Sequence, residues 1–164
     1  MQYTCSYSSP LGEMLIASDG SAVTGLWFIG QKYFGSTLEA EHAEKALPVF
    51  GQTVRWLDDY FQGNVPMEMP PISFNSSSFR IRVWKLLMEI PYGHTVTYGE
   101  IARTLEKQTG RRICAQAVGG AVGHNPVSII VPCHRVIGSN GLTGYAGGLD
   151  KKLALLRLEG VNVH

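Results

Sequence analysis

Val127-Ser128-Ile129-Ile130-Val131-Pro132-Cys133-His134-Arg135-Val136-Ile137 runs from a short apolar stretch straight into a proline, a cysteine and two potential cations. The first five residues are β-branched but for one serine and too few for a helix, so they predict a buried strand. An isolated cysteine is ordinarily a small core hydrophobe. Here Pro132 fixes the backbone before it, and His134 and Arg135 follow at once. Nearby cations favour the thiolate, the nucleophilic form, so Cys133 is the leading candidate nucleophile.

Working outward, the stretch Leu149-Asp150-Lys151-Lys152-Leu153-Ala154-Leu155-Leu156-Arg157-Leu158-Glu159-Gly160 predicts a final helix with Gly160 as its stop. Glu159 then falls in the last turn, where the helix dipole disfavours a negative charge by about 0.3–1 kcal/mol. A cationic partner makes such a carboxylate intelligible. His134 is the candidate, which would give a relay of nucleophile, base and orienting acid.

Three helices are predicted upstream. Val83, Leu86, Leu87 and Ile90 form the apolar stripe of one, stopped by Pro91 and Gly93. A second begins at Thr97, whose hydroxyl can cap it while Glu100 reaches back to the Thr97 amide. A third runs from about Ile113 to Val122 and ends at Gly123-His124-Asn125-Pro126. The short link between the last two suggests a helix-turn-helix. Within the third helix, Gly119-Gly120 costs about 1 kcal/mol per glycine against alanine. Two explanations stand: tight helix-helix packing, or a slim helix that enters a minor groove only about 6 Å wide.

The first half carries no such chemistry. Met14-Leu15-Ile16-Ala17 and Val23-Thr24-Gly25-Leu26-Trp27-Phe28 flank Ser18-Asp19-Gly20-Ser21 as a hairpin with its turn. Phe50, Val54, Leu57 and Phe61 recur at helical spacing between Pro48 and Gly63. From Asn64 to Ser78, Pro66, Pro70, Pro71 and Asn75-Ser76-Ser77-Ser78 mark a connector. We expect domains at residues 1–75, a scaffold, and 76–164, the part that carries the chemistry.

The 164 residues are 45% apolar and 16% charged, a composition that argues against disorder. No apolar run approaches the roughly 18 residues of a membrane helix, and the start of the chain lacks a signal-peptide pattern. A reducing, cytoplasmic setting is expected, with Cys5, Cys114 and Cys133 free of disulfides. Formal charge is only +1, so any surface for nucleic acid must be local. Arg103, Lys107, Arg111 and Arg112 form the densest cationic cluster, which by charge alone is equally a solvated helix-and-loop surface.

Val131-Pro132-Cys133-His134-Arg135-Val136-Ile137 resembles the signature of the methylated-DNA–protein-cysteine methyltransferases, also called alkylguanine-DNA alkyltransferases. The similarity extends through Pro91-Tyr92-Gly93, Thr97-Tyr98-Gly99-Glu100-Ile101-Ala102, Ala117-Val118-Gly119, Asn125-Pro126, Gly144-Tyr145-Ala146-Gly147-Gly148 and Leu158-Glu159-Gly160. It covers the second half, and more loosely Ser9-Pro10-Leu11-Gly12 in the first. The resemblance implies an α+β fold: an N-terminal ribonuclease-H-like sheet domain followed by a mostly helical winged helix-turn-helix domain. It implies a monomer that flips 6-O-alkylguanine, and also 4-O-alkylthymine, out of double-stranded DNA. The alkyl group then passes irreversibly to its own cysteine, once per molecule and without a cofactor. By position, Cys133 is the acceptor, His134 its water-relayed base and Glu159 the residue orienting that histidine. Tyr98 contacts the flipped base and helps neutralise the leaving guanine. Tyr145 and the backbone at Val136 and Ala146 line the pocket, and Asn125 holds the turn between recognition helix and acceptor segment. Tyr98, Arg112, Gln116 and Ser139 are the implied DNA contacts.

Gln116 departs from the pattern, since family members often place an arginine there to fill the gap left by the flipped base. Cys5 has no cysteine or histidine nearby to complete a four-ligand zinc site, so no metal is expected. Two other readings compete. A winged-helix regulator without chemistry explains the helices but not Cys133 with Glu159. A cysteine hydrolase usually draws its histidine from far away in sequence, and it would turn over.

Overall fold

A computed structural model describes residues 1–139, 141 and 144–162. The chain forms two compact units: Met1–Asn75 with Pro126–Ser128, and Ser76–Asn125 with the chain from Ile129 onward.

In the first unit, β1 (Gln2–Ser9), β2 (Gly12–Ser18), β3 (Val23–Phe28) and β4 (His42–Glu44) form one sheet in the order β3-β2-β1-β4. The strands are antiparallel except for β4, which runs parallel to β1. The expected hairpin forms around Asp19, whose Oδ1 accepts from the amides of Ser21 at 3.0 Å and Ala22 at 2.9 Å. Register aligns Tyr7, Met14 and Phe28 across the sheet, and beside them Ile16 and Leu26. α1 (Pro48–Phe61) buries Val49, Phe50, Thr53, Trp56, Leu57 and Tyr60. Val54 and Phe61, expected on that stripe, are only half-buried, because the aromatic Trp56 and Tyr60 take the inward positions instead. Gly25 is required by its neighbour: a Cβ there would lie 2.0 Å from the Trp27 ring.

The predicted strand at Val127–Val131 does not form. Leu26 N–H donates to Pro126 O and Ser128 N–H to Leu26 O, giving a single bridge of Val127 to β3. The chain then turns at Ile129, which has φ +69°. A β-branched residue rarely takes that left-handed conformation. The run is apolar because it is buried, and it is buried within turns. Cys133 accordingly begins a 3-10 turn, Cys133–Arg135, rather than ending a strand.

In the second unit α2 (Ser78–Leu87), α3 (Tyr98–Thr109) and α4 (Ala115–Gly123) are the three expected helices, followed by α5 (Leu149–Leu158). β5 (Val96–Thr97) pairs in parallel with β6 (Val136–Ile137). In α2 the inward position is Trp84 rather than Leu86, and its Nε1–H donates to Ala121 O of α4 at 2.8 Å. At the start of α3, Thr97 Oγ1 accepts from Glu100 N–H at 3.1 Å as predicted. The return half of the capping box differs, since the Glu100 carboxylate accepts from the Thr97 hydroxyl, not from its amide. α4 starts two residues later than expected, because Glu106 Oε2 holds the Ile113 amide in the connection.

Candidate active site

The 3-10 turn Cys133–Arg135 is buried throughout, and its three side chains meet two different elements. On one side stands the C-terminus of α5. Glu159, the C-cap residue, is 7% exposed and accepts from four donors. His134 Nε2 lies 2.6 Å from its Oε2, and Arg135 donates through Nε at 2.8 Å and NH2 at 3.1 Å. The amide of Gly93 donates to Oε1 at 2.9 Å. Arg135 also donates to Ile90 O at 2.8 Å and stacks its guanidinium over Tyr92. The cation expected beside Glu159 is present as the permanently charged Arg135, with the His134 imidazole as a second partner.

Behind the turn lies Lys152, with no exposed surface. Its Nζ donates to Val136 O at 2.6 Å and to Gly144 O at 3.3 Å, holding both ends of the segment after the acceptor. Burial pulls this ammonium down to about 8, against an opposing pull from Cys133. Asn125, just past α4, donates to Val131 O at 2.8 Å and hydrogen-bonds the Cys133 thiol. It bridges the turn before the cysteine and the cysteine itself.

Electrostatics at the resting site differ from the sequence expectation. Burial pushes the Cys133 thiol up, and the Asn125 hydrogen bond and the Lys152 charge offset this only in part. Burial likewise pushes His134 down, opposed by Glu159 and reinforced by the charges of Arg135 and Lys152. The surroundings are electropositive as predicted, but loss of hydration outweighs them, and both groups rest neutral.

Val136 is buried in β6, while Tyr145 and Ala146 are half-buried before α5. Tyr98, half-buried, opens α3 with its ring beside α4. A Cβ at Gly119 would lie 3.9 Å from that ring, an ordinary contact, and one at Gly120 would meet nothing. Internal packing calls for neither glycine, so the tight-packing explanation falls away. Gln116 and Arg112, at and before the start of α4, and Ser139, after β6, are exposed and stand apart from the buried cluster. Sequence reasoning missed Gly93 and Lys152 as members of the site, and it placed Arg135 beside Cys133 without its bonds to Glu159. For Lys152 a signal exists: it shares helical spacing with Leu155, Leu156 and Glu159, the inward stripe of α5.

A chain that joins a small sheet unit to a helical unit with this buried Cys-His-Glu arrangement matches known proteins over most of its length. The family model described as "6-O-methylguanine DNA methyltransferase, ribonuclease-like domain" matches residues 2–70, and that of the same family's DNA binding domain matches residues 78–161. The methylated-DNA–protein-cysteine methyltransferase of Mycobacterium tuberculosis is 45% identical over 152 residues, covering 92% of this chain and 88% of that protein. The crystal structure of the M. tuberculosis O6-methylguanine methyltransferase superposes with a TM-score of 0.81 at 42% identity, over 97% of this chain and 93% of the other. A structure of the M. tuberculosis protein in complex with DNA gives 0.80 at 41% identity, over 96% and 91%. The chain belongs to the 6-O-methylguanine DNA methyltransferase family.

Proposed function

We propose that the chain repairs alkylated DNA by direct reversal, moving the alkyl group of 6-O-alkylguanine, and of 4-O-alkylthymine, onto its own Cys133. The observation that carries this is the buried Cys133 followed by His134, whose imidazole meets Glu159 at 2.6 Å. DNA is the partner, as in the complex of the M. tuberculosis relative. Residues 1–75 serve as scaffold and 76–164 as the DNA-binding and acceptor part.

The helix-turn-helix enters the minor groove through α4, and the damaged base leaves the duplex for the pocket. Flipping costs a few kcal/mol, less for a weakly paired damaged base. Two glycines that internal packing does not require favour such close approach. Gln116 fills the vacated space, while Arg112, Ser139 and Tyr98 hold the backbone beside it. Tyr145 and the main chain at Val136 and Ala146 receive the base.

The Cys133 proton passes through a water to His134, and Glu159 stabilises the imidazolium that results. The thiolate sulfur then bonds the alkyl carbon as the carbon–oxygen bond breaks. The electron pair passes to the guanine, where Tyr98 hydrogen-bonds the developing charge. Burial holds the thiol up and the imidazole down, which favours the neutral pair at rest and makes the thiol less open to stray oxidation. The thioether has no good leaving group, so each molecule acts once. It acts as a monomer in the cytoplasm. Among the described residues no helix is long and apolar enough to cross a membrane.

Incubation with alkylated duplex DNA followed by intact mass separates the readings. A single permanent addition per chain is expected. An unchanged mass would leave a DNA-binding regulator, and released product in excess of protein would indicate a hydrolase.

A further inference from the structure

A cleft of about 350 Å³ opens between the first turn of α2 and the connection from α3 to α4. Ser78, Phe79, Arg82, Thr109, Arg111 and Ile113 line it. Both arginines are exposed. The described ion pairs join Met1 to Glu39 and Glu159 to His134 and Arg135, so neither cleft guanidinium has a carboxylate partner among them. Two uncompensated guanidinium groups facing one cleft repel each other, and an anion between them relieves that repulsion.

The Arg111 side of the cleft is held in place. Gly110 closes α3 with φ +69°, Thr109 Oγ1 accepts from the Arg111 amide, and Glu106 Oε2 accepts from that of Ile113. At the rim, Glu106 Oε2 is engaged by the Ile113 amide rather than by either guanidinium among the described ion pairs. The facing wall is the start of a regular helix, so little ordering remains to be done on binding. Planar guanidinium forks match phosphate oxygens. The Ser78 hydroxyl adds a neutral donor, and Phe79 and Ile113 offer an apolar wall suited to a sugar.

We propose that Arg82 and Arg111 clamp a phosphodiester of the DNA strand that runs past the N-terminal end of α4. The cleft is continuous with that end, because Ile113 on its wall is two residues from Ala115, where the helix begins. The inference rests on the DNA-binding reading above and extends its footprint from α4 to α2. It also shows how a chain of formal charge +1 holds a polyanion, by concentrating unpaired cations along one edge.

The test is the salt dependence of binding to an undamaged duplex for Arg82→Gln, Arg111→Gln and the double variant. Melting temperature serves as the fold control, since both side chains are exposed. Each neutralised phosphate contributes about 0.9 to the slope of log affinity against log salt, so loss of the whole clamp should flatten it by about that much and each single variant by part of it. The double variant should lose the full contact, so its affinity deficit shrinks as salt rises. An unchanged slope in either single variant overturns the clamp. A second arm replaces chloride with inorganic phosphate at constant ionic strength. A melting-temperature rise that needs both arginines, with DNA slopes unaltered, would show a free-anion site and overturn the proposal. Flattened slopes alongside a wild-type protein that accepts no alkyl group would uphold the clamp while removing the repair chemistry.

Discussion

The two units bury polar groups of different kinds. Tyrosine and tryptophan aside, the polar residues buried in the first unit are Gln2, Thr4, Ser18, Thr53 and Ser128, all neutral. The second buries Asn125 together with His134, Arg135, Lys152 and Glu159, four ionisable side chains around one cysteine. A neutral hydroxyl is satisfied cheaply, as when Thr53 Oγ1 donates to Val49 O one helical turn back. Burying an ion costs several kcal/mol even when it is paired, and apolar replacements are often as stable. Stability therefore explains the first set and not the second. In the proposed mechanism the charged cluster sets protonation states beside Cys133.

The comparison is sharpest when one partner is removed from each unit. Arg135→Met leaves the Glu159 carboxylate without its permanent cation and should cost about 3–5 kcal/mol. Thr53→Val deletes one neutral hydrogen bond and should cost about 1 kcal/mol. Urea unfolding of both variants checks this, and equal losses would remove the distinction between the units.

Glu159→Gln keeps the shape and one acceptor oxygen, hence two of the four accepted hydrogen bonds, but cannot stabilise a protonated His134. Transfer should slow roughly tenfold or more at neutral pH. Since Glu159 is what holds the imidazole up against burial, the shortfall should narrow as pH rises and thiolate forms without the base. Single-turnover rates across pH read this directly. A stability loss with an unchanged rate would make Glu159 a helix-end residue and nothing more.

Lys152 gives a pH signature with a definite sign. Its ammonium titrates at about 8 when folded and 10.5 when unfolded, so between those values the unfolded chain holds more protons. Folding stability contributed by this group therefore rises with pH through that window, by about 1–3 kcal/mol. The measurement belongs in a Cys133→Ser background, which removes the opposing titration of the thiol. There the rise between pH 7.5 and 9.5 should vanish on Lys152→Met. A rise of the same size in both proteins would place the proton elsewhere.

Smallest are the effects on α4, where nothing is buried against the changed atoms. Gly120→Ala should stabilise the helix by up to about 1 kcal/mol, since a Cβ there meets nothing, while weakening duplex binding if that side of α4 enters the groove as proposed. Gln116→Ala should slow repair of duplex DNA more than of single strands, which have no gap to fill. Gln116→Arg should restore or exceed the rate and steepen the salt slope by about one contact. Effects of equal size on both substrates would show that Gln116 does not replace the flipped base.

Much of this was legible from residue types. The Ser18–Ser21 turn, the Thr97 cap and the Gly160 stop are local signals, and each forms where the chain predicts it. Continuous burial was legible at Val127–Val131, but not its conformation. An apolar run fits a strand or a buried turn equally, and Ile129 adopts a left-handed φ that its side chain disfavours. At the site, His134 and Glu159 were legible as a pair because a carboxylate at a helix C-terminus asks for a cation. Arg135 as the second claimant and Lys152 beneath the acceptor come from the packing of α5 on the turn, a long-range fact. The resting protonation state was misjudged for the same reason: sequence shows neighbouring charges but not how completely water is excluded.

Of the three cysteines, Cys114 is exposed, Cys5 partly so, and Cys133 buried. On accessibility alone Cys114 is the residue a soluble alkylating agent should reach first. After one turnover on a duplex carrying 6-O-methylguanine, peptide mapping by mass spectrometry locates the methyl group. One methyl per chain on the peptide holding Cys133, and none on a Cys133→Ser variant that still binds the duplex, is the predicted result. Methyl on Cys114 or Cys5, or transfer within tenfold of wild type in the serine variant, would contradict the account.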